Sequence, residues 1–222
     1  MEIQIKDIAK SYRKKTVLRS ISLTAQSGSC IGILGSNGCG KSTLLSILAG
    51  VLPRNQGEFL LDGRDLFRDT RLRSRMVGYV PQGTPLLEEL TAWDNLLLWY
   101  HRENLEKELD SGVLRLLGIH EFLKVPVNKM SGGMKKRLSI GCAVAQRPPV
   151  LLLDEPTAAL DLACKESIAA YLRQYKASGG ILLLTTHDVL ELQLCDRWYI
   201  IKDGVLEEFF YDGDLQKLVK QL

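Results

Sequence analysis

Residues 30–43 read CIGILGSNGCGKST, and residues 35–42 match the pattern G-x-x-x-x-G-K-S. The apolar run Ile31–Leu34 before the glycines predicts a buried strand, and the periodic residues Ser42–Leu48 after them predict a helix. Glycine lets the backbone curl tightly, so that its N–H groups can surround phosphate oxygens. A strand, a glycine-rich loop and a helix in this order predict a phosphate-binding loop.

The residue types in this loop fit a nucleoside triphosphate. The helix that follows directs its positive N-terminal end at the β-phosphate. Lys41 supplies a cation for the β- and γ-phosphates, and the Ser42 hydroxyl can bind Mg²⁺. The predicted nucleotide-binding residues of the loop are Gly35, Ser36, Asn37, Gly38, Cys39, Gly40, Lys41, Ser42 and Thr43.

A second apolar run, Val150–Leu153, ends in Asp154 and Glu155. This pattern predicts a buried parallel strand whose carboxyl end opens into a site. The Asp154 carboxylate can support a bound Mg²⁺ ion, and the Glu155 carboxylate can act as a general base that accepts a proton from water. The strand predicted at Gly180–Thr185 is expected to run parallel to it, which places His187 at the same edge of the sheet.

Composition limits the class of protein. With 222 residues, 45% hydrophobic and 25% charged, the chain fits one α/β domain, or a core with an inserted subdomain. The net charge of +3 is too small to predict nucleic-acid binding, and the basic run Lys135–Arg137 is expected to be a solvated face.

The sequence also predicts a cytosolic location. No apolar run approaches the ~18 residues that a membrane span needs, and Met1–Lys6 lacks the features of a signal peptide. Five cysteines without a Cys-x-x-Cys pair favour a reducing compartment.

Residues 87–147 are predicted to form an inserted helical subdomain, because helical patterns interrupt the alternation of strands and helices there. Residues 1–86 and 148–222 are predicted to form an α/β P-loop NTPase core, with a mostly parallel sheet and an N-terminal antiparallel β subdomain. The predicted helices of the insert are Thr91–Tyr100, Leu105–Leu117 and Met134–Ala145, and a last short helix is predicted to begin at Asp214.

Together these motifs resemble the nucleotide-binding subunit of ATP-binding cassette (ABC) transporters, in the family's order from Tyr12 to His187. The stretch Met130–Met134, which we call the signature stretch, resembles the family's Leu-Ser-Gly-Gly-Gln. That element separates ABC proteins from other P-loop ATPases. Met130 and Met134 depart from the pattern, but the serine and the two glycines that carry the phosphate contacts are present.

The resemblance implies an ATPase that uses ATP and Mg²⁺. It assigns catalysis to Glu155, His187, Gln82 and Lys41, metal contact to Ser42, Gln82 and Asp154, adenine stacking to Tyr12, and contact with the opposite subunit's γ-phosphate to Ser131, Gly132 and Gly133. Family members act as head-to-tail dimers, so the expected partners are a second copy or a homologous cassette, together with a membrane permease. The chain is then expected at the inner face of the cell membrane, as part of an exporter, without nucleic-acid partners.

Apolar side chains of the insert are predicted to contact the permease. Trp93, Leu97 and Tyr100 share a face at helical spacing. The alternative is that they pack the insert's own core. The residues expected at the contact are Trp93, Leu97, Trp99, Tyr100, Gln82, Leu86 and Leu87.

Two other function classes fit the sequence less well. Soluble ABC ATPases that act on DNA or ribosomes generally carry two cassettes or a long coiled-coil insertion, and 222 residues hold neither. A GTPase or small-molecule kinase would need a guanine-specifying Asn-Lys-x-Asp, and Asn128–Ser131 lacks the final aspartate.

Overall fold

The computed structural model describes residues 1–13, 15–211 and 213, and within them ten strands and eight α-helices form. The strands are β1 (Glu2–Tyr12), β2 (Lys15–Gln26), β3 (Cys30–Leu34), β4 (Gln56–Leu61), β5 (Arg64–Asp65), β6 (Val77–Val80), β7 (Val150–Asp154), β8 (Ile181–Thr185), β9 (Arg197–Lys202) and β10 (Val205–Phe209). The helices are α1 (Lys41–Ala49), α2 (Thr70–Met76), α3 (Ala92–Leu97), α4 (Arg102–Asp110), α5 (Val113–Leu116), α6 (Gly132–Ala143), α7 (Leu162–Ala177) and α8 (Val189–Leu192). The helix predicted at Asp214 lies outside the described residues.

The strands follow one another in the order β5-β4-β1-β2-β10-β9-β3-β8-β7-β6. At one end, β5, β4, β1 and β2 are antiparallel neighbours. At the other end, β9, β3, β8, β7 and β6 are parallel. Strand β10 joins the two parts, antiparallel to β9 and paired with β2 at Val205 and Ser20. The predicted α/β class, with a mostly parallel sheet and an antiparallel N-terminal part, is confirmed.

The central strands are apolar on both faces because helices cover both faces. In β7, Val150 and Leu152 join a core with α1, whereas Leu151 and Leu153 join a second core with α6 and α7. All four side chains are fully buried, and each contributes about 2 kcal/mol relative to exposure. The alternation of side chains along a strand therefore divides one continuous apolar run between two cores.

Helices α3 to α6 lie between β6 and β7 in the chain, but the single helix predicted over Leu105–Leu117 is wrong. Glycine and serine are poor helix formers, and Gly112 has an extended backbone at φ −100° and ψ −156°. The Glu108 carboxylate accepts a hydrogen bond from the Val113 N–H at 2.8 Å, which satisfies a donor in the first turn of α5.

Helix α3 is also shorter than predicted, which changes the face that its residues present. It ends at Leu97, so helical spacing does not carry Tyr100 onto the predicted exposed face. Tyr100 is instead buried, and its hydroxyl donates to the Gly141 carbonyl at 2.8 Å. Leu97, Leu98 and Trp99 are the exposed residues of this segment.

Three further sequence predictions change. Helix α6 begins at Gly132, two residues before the predicted start, because Ser131 caps it. Helices α2 and α8 were not predicted. The short N-terminal apolar runs belong to two strands of 11 and 12 residues. No helix in the described part of the chain is both long and apolar enough to cross a membrane.

Candidate functional site

The site lies where four neighbouring parallel strands end. The register pairs Ile33 of β3 with Thr185 of β8, Thr185 with Asp154 of β7, and Leu153 with Val80 of β6. The four strands therefore end within about one residue of one another. The segments that follow them meet at one edge of the sheet, which is the position where open α/β sheets bind ligands.

The loop after β3 and the first turn of α1, residues 35–43, together form what we call the glycine loop, which is curled and open on its outer side. A Cβ on Gly35 would lie 2.6 Å from the Cys39 sulfur and 2.8 Å from the Ile201 carbonyl oxygen, so only glycine fits there. A Cβ on Gly38 would meet nothing within 4 Å. Among the described residues no side chain caps the first turn of α1, which leaves its N–H groups available to an anion.

Lys41 places a buried positive charge at the centre of the glycine loop. The residue is 6% exposed, and its Nζ donates to the carbonyls of Gly35 at 2.7 Å and Ser36 at 3.3 Å. A buried ammonium is costly without partners, and here the loop's own carbonyls supply them. The charge is therefore held where phosphate oxygens can approach the curled backbone.

Asp154 is held by a threonine that the sequence analysis did not identify. Asp154 is 2% exposed, and its Oδ1 accepts from the Thr185 hydroxyl at 2.6 Å. The same hydroxyl accepts from the Glu155 N–H at 3.0 Å, so one side chain orients two acidic residues. A polar residue ending the apolar run Ile181–Leu184 was the available signal.

Glu155 lies between Gln82 and His187. Its Oε2 accepts from the Gln82 amide at 2.9 Å, and its Oε1 is 3.9 Å from the His187 Nε2. The Glu155 backbone has φ 47°, a left-handed conformation that is rare outside glycine. Such strain persists where the surroundings impose it, and it is common at functional sites.

The surroundings of His187 disfavour its charged form. Partial burial lowers the pKa of His187, and the positive charge of Lys41 lowers this pKa further, against the opposing effect of Glu155. A neutral imidazole has one donor and one acceptor nitrogen, so it can bind a polar ligand without carrying charge.

The predicted metal ligands Ser42, Gln82 and Asp154 offer hydroxyl, amide and carboxylate oxygens. These are the atoms that Mg²⁺ prefers, and Mg²⁺ is commonly bound by one or two such groups together with substrate phosphates. The described residues contain no cluster of three or more His, Cys, Asp or Glu side chains able to hold a metal alone. The donor set fits Mg²⁺ bound together with a nucleotide.

The two remaining predicted site elements are Tyr12 and the signature stretch. Tyr12, at the end of the β1–β2 hairpin, is 44% exposed, with the Lys10 ammonium 5.0 Å from its ring centre. In the signature stretch, Ser131 caps α6 by accepting from the Met134 N–H at 3.2 Å. A Cβ on Gly133 would lie 2.5 Å from the Cys164 sulfur, so this glycine packs against α7. In the described ranges, no hydrogen bond joins the signature stretch to the glycine loop.

The sequence comparisons agree with this geometry. A profile described as ABC transporter matches residues 18–158, more than half of the chain. The linearmycin resistance ATP-binding protein of Bacillus subtilis (strain 168) is 35% identical over 91% of this chain and 67% of its own length. The Nod factor export ATP-binding protein I of Sinorhizobium fredii is 38% identical over 91% of this chain and 60% of its own length. The spermidine/putrescine import ATP-binding protein of Spiroplasma citri is 35% identical over 93% of this chain and 60% of its own length. The chain thus spans 60–67% of the length of these relatives.

A solved structure with a similar fold is dimeric. A dimeric ATP-binding cassette in a post-hydrolysis state, bound to ADP and Pi, matches with a TM-score of 0.82 and 28% identity, covering 96% of this chain and all of that one. The fold and the site define a P-loop ATPase cassette. The chain belongs to the ABC transporter family, as an ATP-binding, ATP-hydrolysing subunit.

The titration of His187 tests the electrostatics of the site. We expect its imidazole to titrate below its ordinary pKa in an NMR titration, because burial and Lys41 both disfavour the charged form. Lys41→Met should raise the His187 pKa, and Glu155→Gln should lower it. A His187→Ala spectrum assigns the signal among three histidines. Shifts in the same direction for both variants would contradict this arrangement.

Proposed function

We propose that the chain hydrolyses ATP with Glu155 as the general base, in a head-to-tail dimer of cassettes that drives a separate membrane permease. One observation carries the assignment. Glu155 lies between the Gln82 amide, at 2.9 Å, and the His187 imidazole, at 3.9 Å, beside the edge that holds the glycine loop. A carboxylate in this position can accept a proton from water while its neighbours keep its orientation.

The other roles follow from the same geometry. The backbone N–H groups of residues 35–43 and the Lys41 ammonium bind the phosphates, and Tyr12 stacks on adenine. Ser42, Gln82 and Asp154 hold Mg²⁺, which when bound neutralises charge on the phosphate oxygens.

The dimer supplies the remaining groups. Ser131, Gly132 and Gly133 lie at the N-terminus of α6, where Ser131 and Gly132 are exposed and an anion is favoured, and they bind the γ-phosphate of nucleotide on the partner cassette. His187 donates a hydrogen bond to the γ-phosphate of the nucleotide bound to its own chain. We assign residues 1–86 and 148–222 to the nucleotide-binding core and 87–147 to the helical subdomain.

We expect Glu155→Gln to abolish steady-state ATP hydrolysis and to retain ATP binding, because the amide keeps the shape of the carboxylate and cannot accept the proton. With ATP and Mg²⁺ this variant should form a stable dimer, measured by light scattering after gel filtration. Glu207→Gln, at an exposed position on β10, is the matched control and should hydrolyse ATP at the wild-type rate. Turnover near wild type in Glu155→Gln, or a monomer at saturating ATP, would exclude Glu155 as the base.

A groove of about 520 Å³ between the core and the helical insert fits the permease. Its lining is mostly apolar and includes Val51 after α1, Tyr79 of β6, Leu86 and the exposed Trp99. Exposed apolar surface beside polar rims is typical of protein interfaces. We place the permease contact here, so that the chain is held at the inner face of the cell membrane. Of the seven residues predicted for this contact, Leu86 and Trp99 line the groove, and five do not: Gln82, Leu87, Trp93, Leu97 and the buried Tyr100.

Trp99→Glu should release the chain from membranes that contain its permease, because a charge in an apolar groove is costly to bury. Membrane flotation measures the bound fraction, and we expect the purified variant to keep its basal ATPase rate. Phe210→Glu replaces another exposed aromatic residue, outside the groove, and should stay membrane-bound. Equal loss of flotation in both variants would remove the groove as the docking site.

We further propose that the transporter works as an exporter. The relatives named for Nod factor export and for linearmycin resistance support this direction, whereas the relative named for spermidine/putrescine import supports the opposite one. Inside-out membrane vesicles decide between them. Export predicts ATP-dependent accumulation of the substrate inside such vesicles, and ATP-driven loss of preloaded substrate would show import.

A further inference from the structure

Lys136 is a buried lysine to which neither the sequence nor the comparisons assign a role. It lies four residues after Gly132, in the second turn of α6, and is 5% exposed. The prediction that the basic run Lys135–Arg137 forms a solvated face is therefore wrong for its central residue. Since removing an ammonium from water is costly, a lysine at this depth requires partners that hold it.

Its partners are two main-chain carbonyls of the loop after β6. The Lys136 Nζ donates to the oxygens of Pro81 and Gln82, each at 2.9 Å. Strand β6 is the edge strand of the sheet, and its last register pair is Val80 with Leu153. The two carbonyls beyond that pair have left the strand ladder, so the ammonium provides the donors that a neighbouring strand would otherwise provide.

Acidic residues of the site act electrostatically on the same ammonium. Burial lowers the pKa of Lys136, and the negative charges of Asp154, Glu191 and Glu155 act in the opposite direction. Glu191 is 3% exposed, and burial raises its pKa. The ammonium is therefore within electrostatic reach of the residues that follow both β7 and β8.

The contacts form a short series from the signature stretch to Glu155. Helix α6 carries Lys136, Lys136 holds the main chain of Gln82, and the Gln82 side chain donates to Glu155 at 2.9 Å. We propose that Lys136 is a positioning residue for ATP hydrolysis, which holds Gln82, and through it Glu155, in a fixed place relative to the signature stretch. The proposal rests on the proposed role of Glu155 as general base.

Two substitutions of Lys136 distinguish the effect of its hydrogen bonds from the effect of its side-chain packing. Lys136→Met keeps the length of the side chain and removes the donors, whereas Lys136→Arg keeps charge and donors. We expect Lys136→Met to lower kcat about tenfold or more with KM for ATP within about twofold, because a small misplacement of a catalytic group slows chemistry more than binding. Lys136→Arg should recover most of kcat. Lys107→Met, at an exposed lysine on α4, is the matched control and should match wild type.

The same variants are measured in the Glu155→Gln background. If Lys136 acts through Glu155, adding Lys136→Met to Glu155→Gln should change the slow single-turnover rate that remains by less than about twofold, because the effects of two residues that act through the same group are not additive. Full activity of Glu155→Gln would overturn the proposed function itself. An inactive Glu155→Gln together with a fully active Lys136→Met would overturn only the role of Lys136.

Thermal unfolding completes the test, because a purely structural lysine would change stability and leave kcat of the folded protein intact. Lys136→Gln, a polar and uncharged replacement, is measured if Lys136→Met does not fold, with the same loss of kcat expected. The proposal is overturned if both variants fail to fold, if KM rises in proportion to the loss of kcat, or if Lys136→Arg is as slow as Lys136→Met.

Discussion

The parallel register of four strands is the constraint on which the candidate site depends. Because β3, β8, β7 and β6 run in the same direction and end at the same level, the residues that follow them are brought to one edge. Hydrogen bonds across the ends then refine their positions, as Thr185 does for Asp154 and Glu155. A slip of one strand by a single residue would turn its side chains to the opposite face and disperse these groups.

Three buried charged side chains at this edge, those of Lys41, Asp154 and Lys136, each have a defined hydrogen-bond partner. Lys41 is held by carbonyls of its own loop, and Asp154 by a threonine hydroxyl. Lys136 is held by carbonyls of the loop after β6. Unpaired charges would be strongly destabilising here, so the hydrogen bonds that orient these groups are also required for stability. Arrangement of the site and stability of the core thus depend on the same contacts.

Much of the fold follows from local pattern. The four-residue apolar runs before Asp154 and Thr185 are strands because a side chain on either face meets a covered core. The helix at Leu105–Leu117 was wrong because a local event, the Ser111–Gly112 break with its Glu108 contact, overrides helical periodicity. Tyr100 was predicted on the same helical face as Trp93 and Leu97, but α3 ends at Leu97 and Tyr100 is buried.

The sequence by itself determined the class of fold, the glycine loop, and the identity of Asp154, Glu155 and His187 as residues at or just beyond the ends of strands, because each rests on neighbours a few positions away. Only the tertiary structure decided the order β3-β8-β7-β6, since that order depends on which apolar faces pack together across distant segments. For the same reason, burial of Lys136 beneath the loop after β6 was not visible in a basic run. A lysine on a helix is solvated or buried according to what packs above it, and that information lies about 55 residues away in the chain.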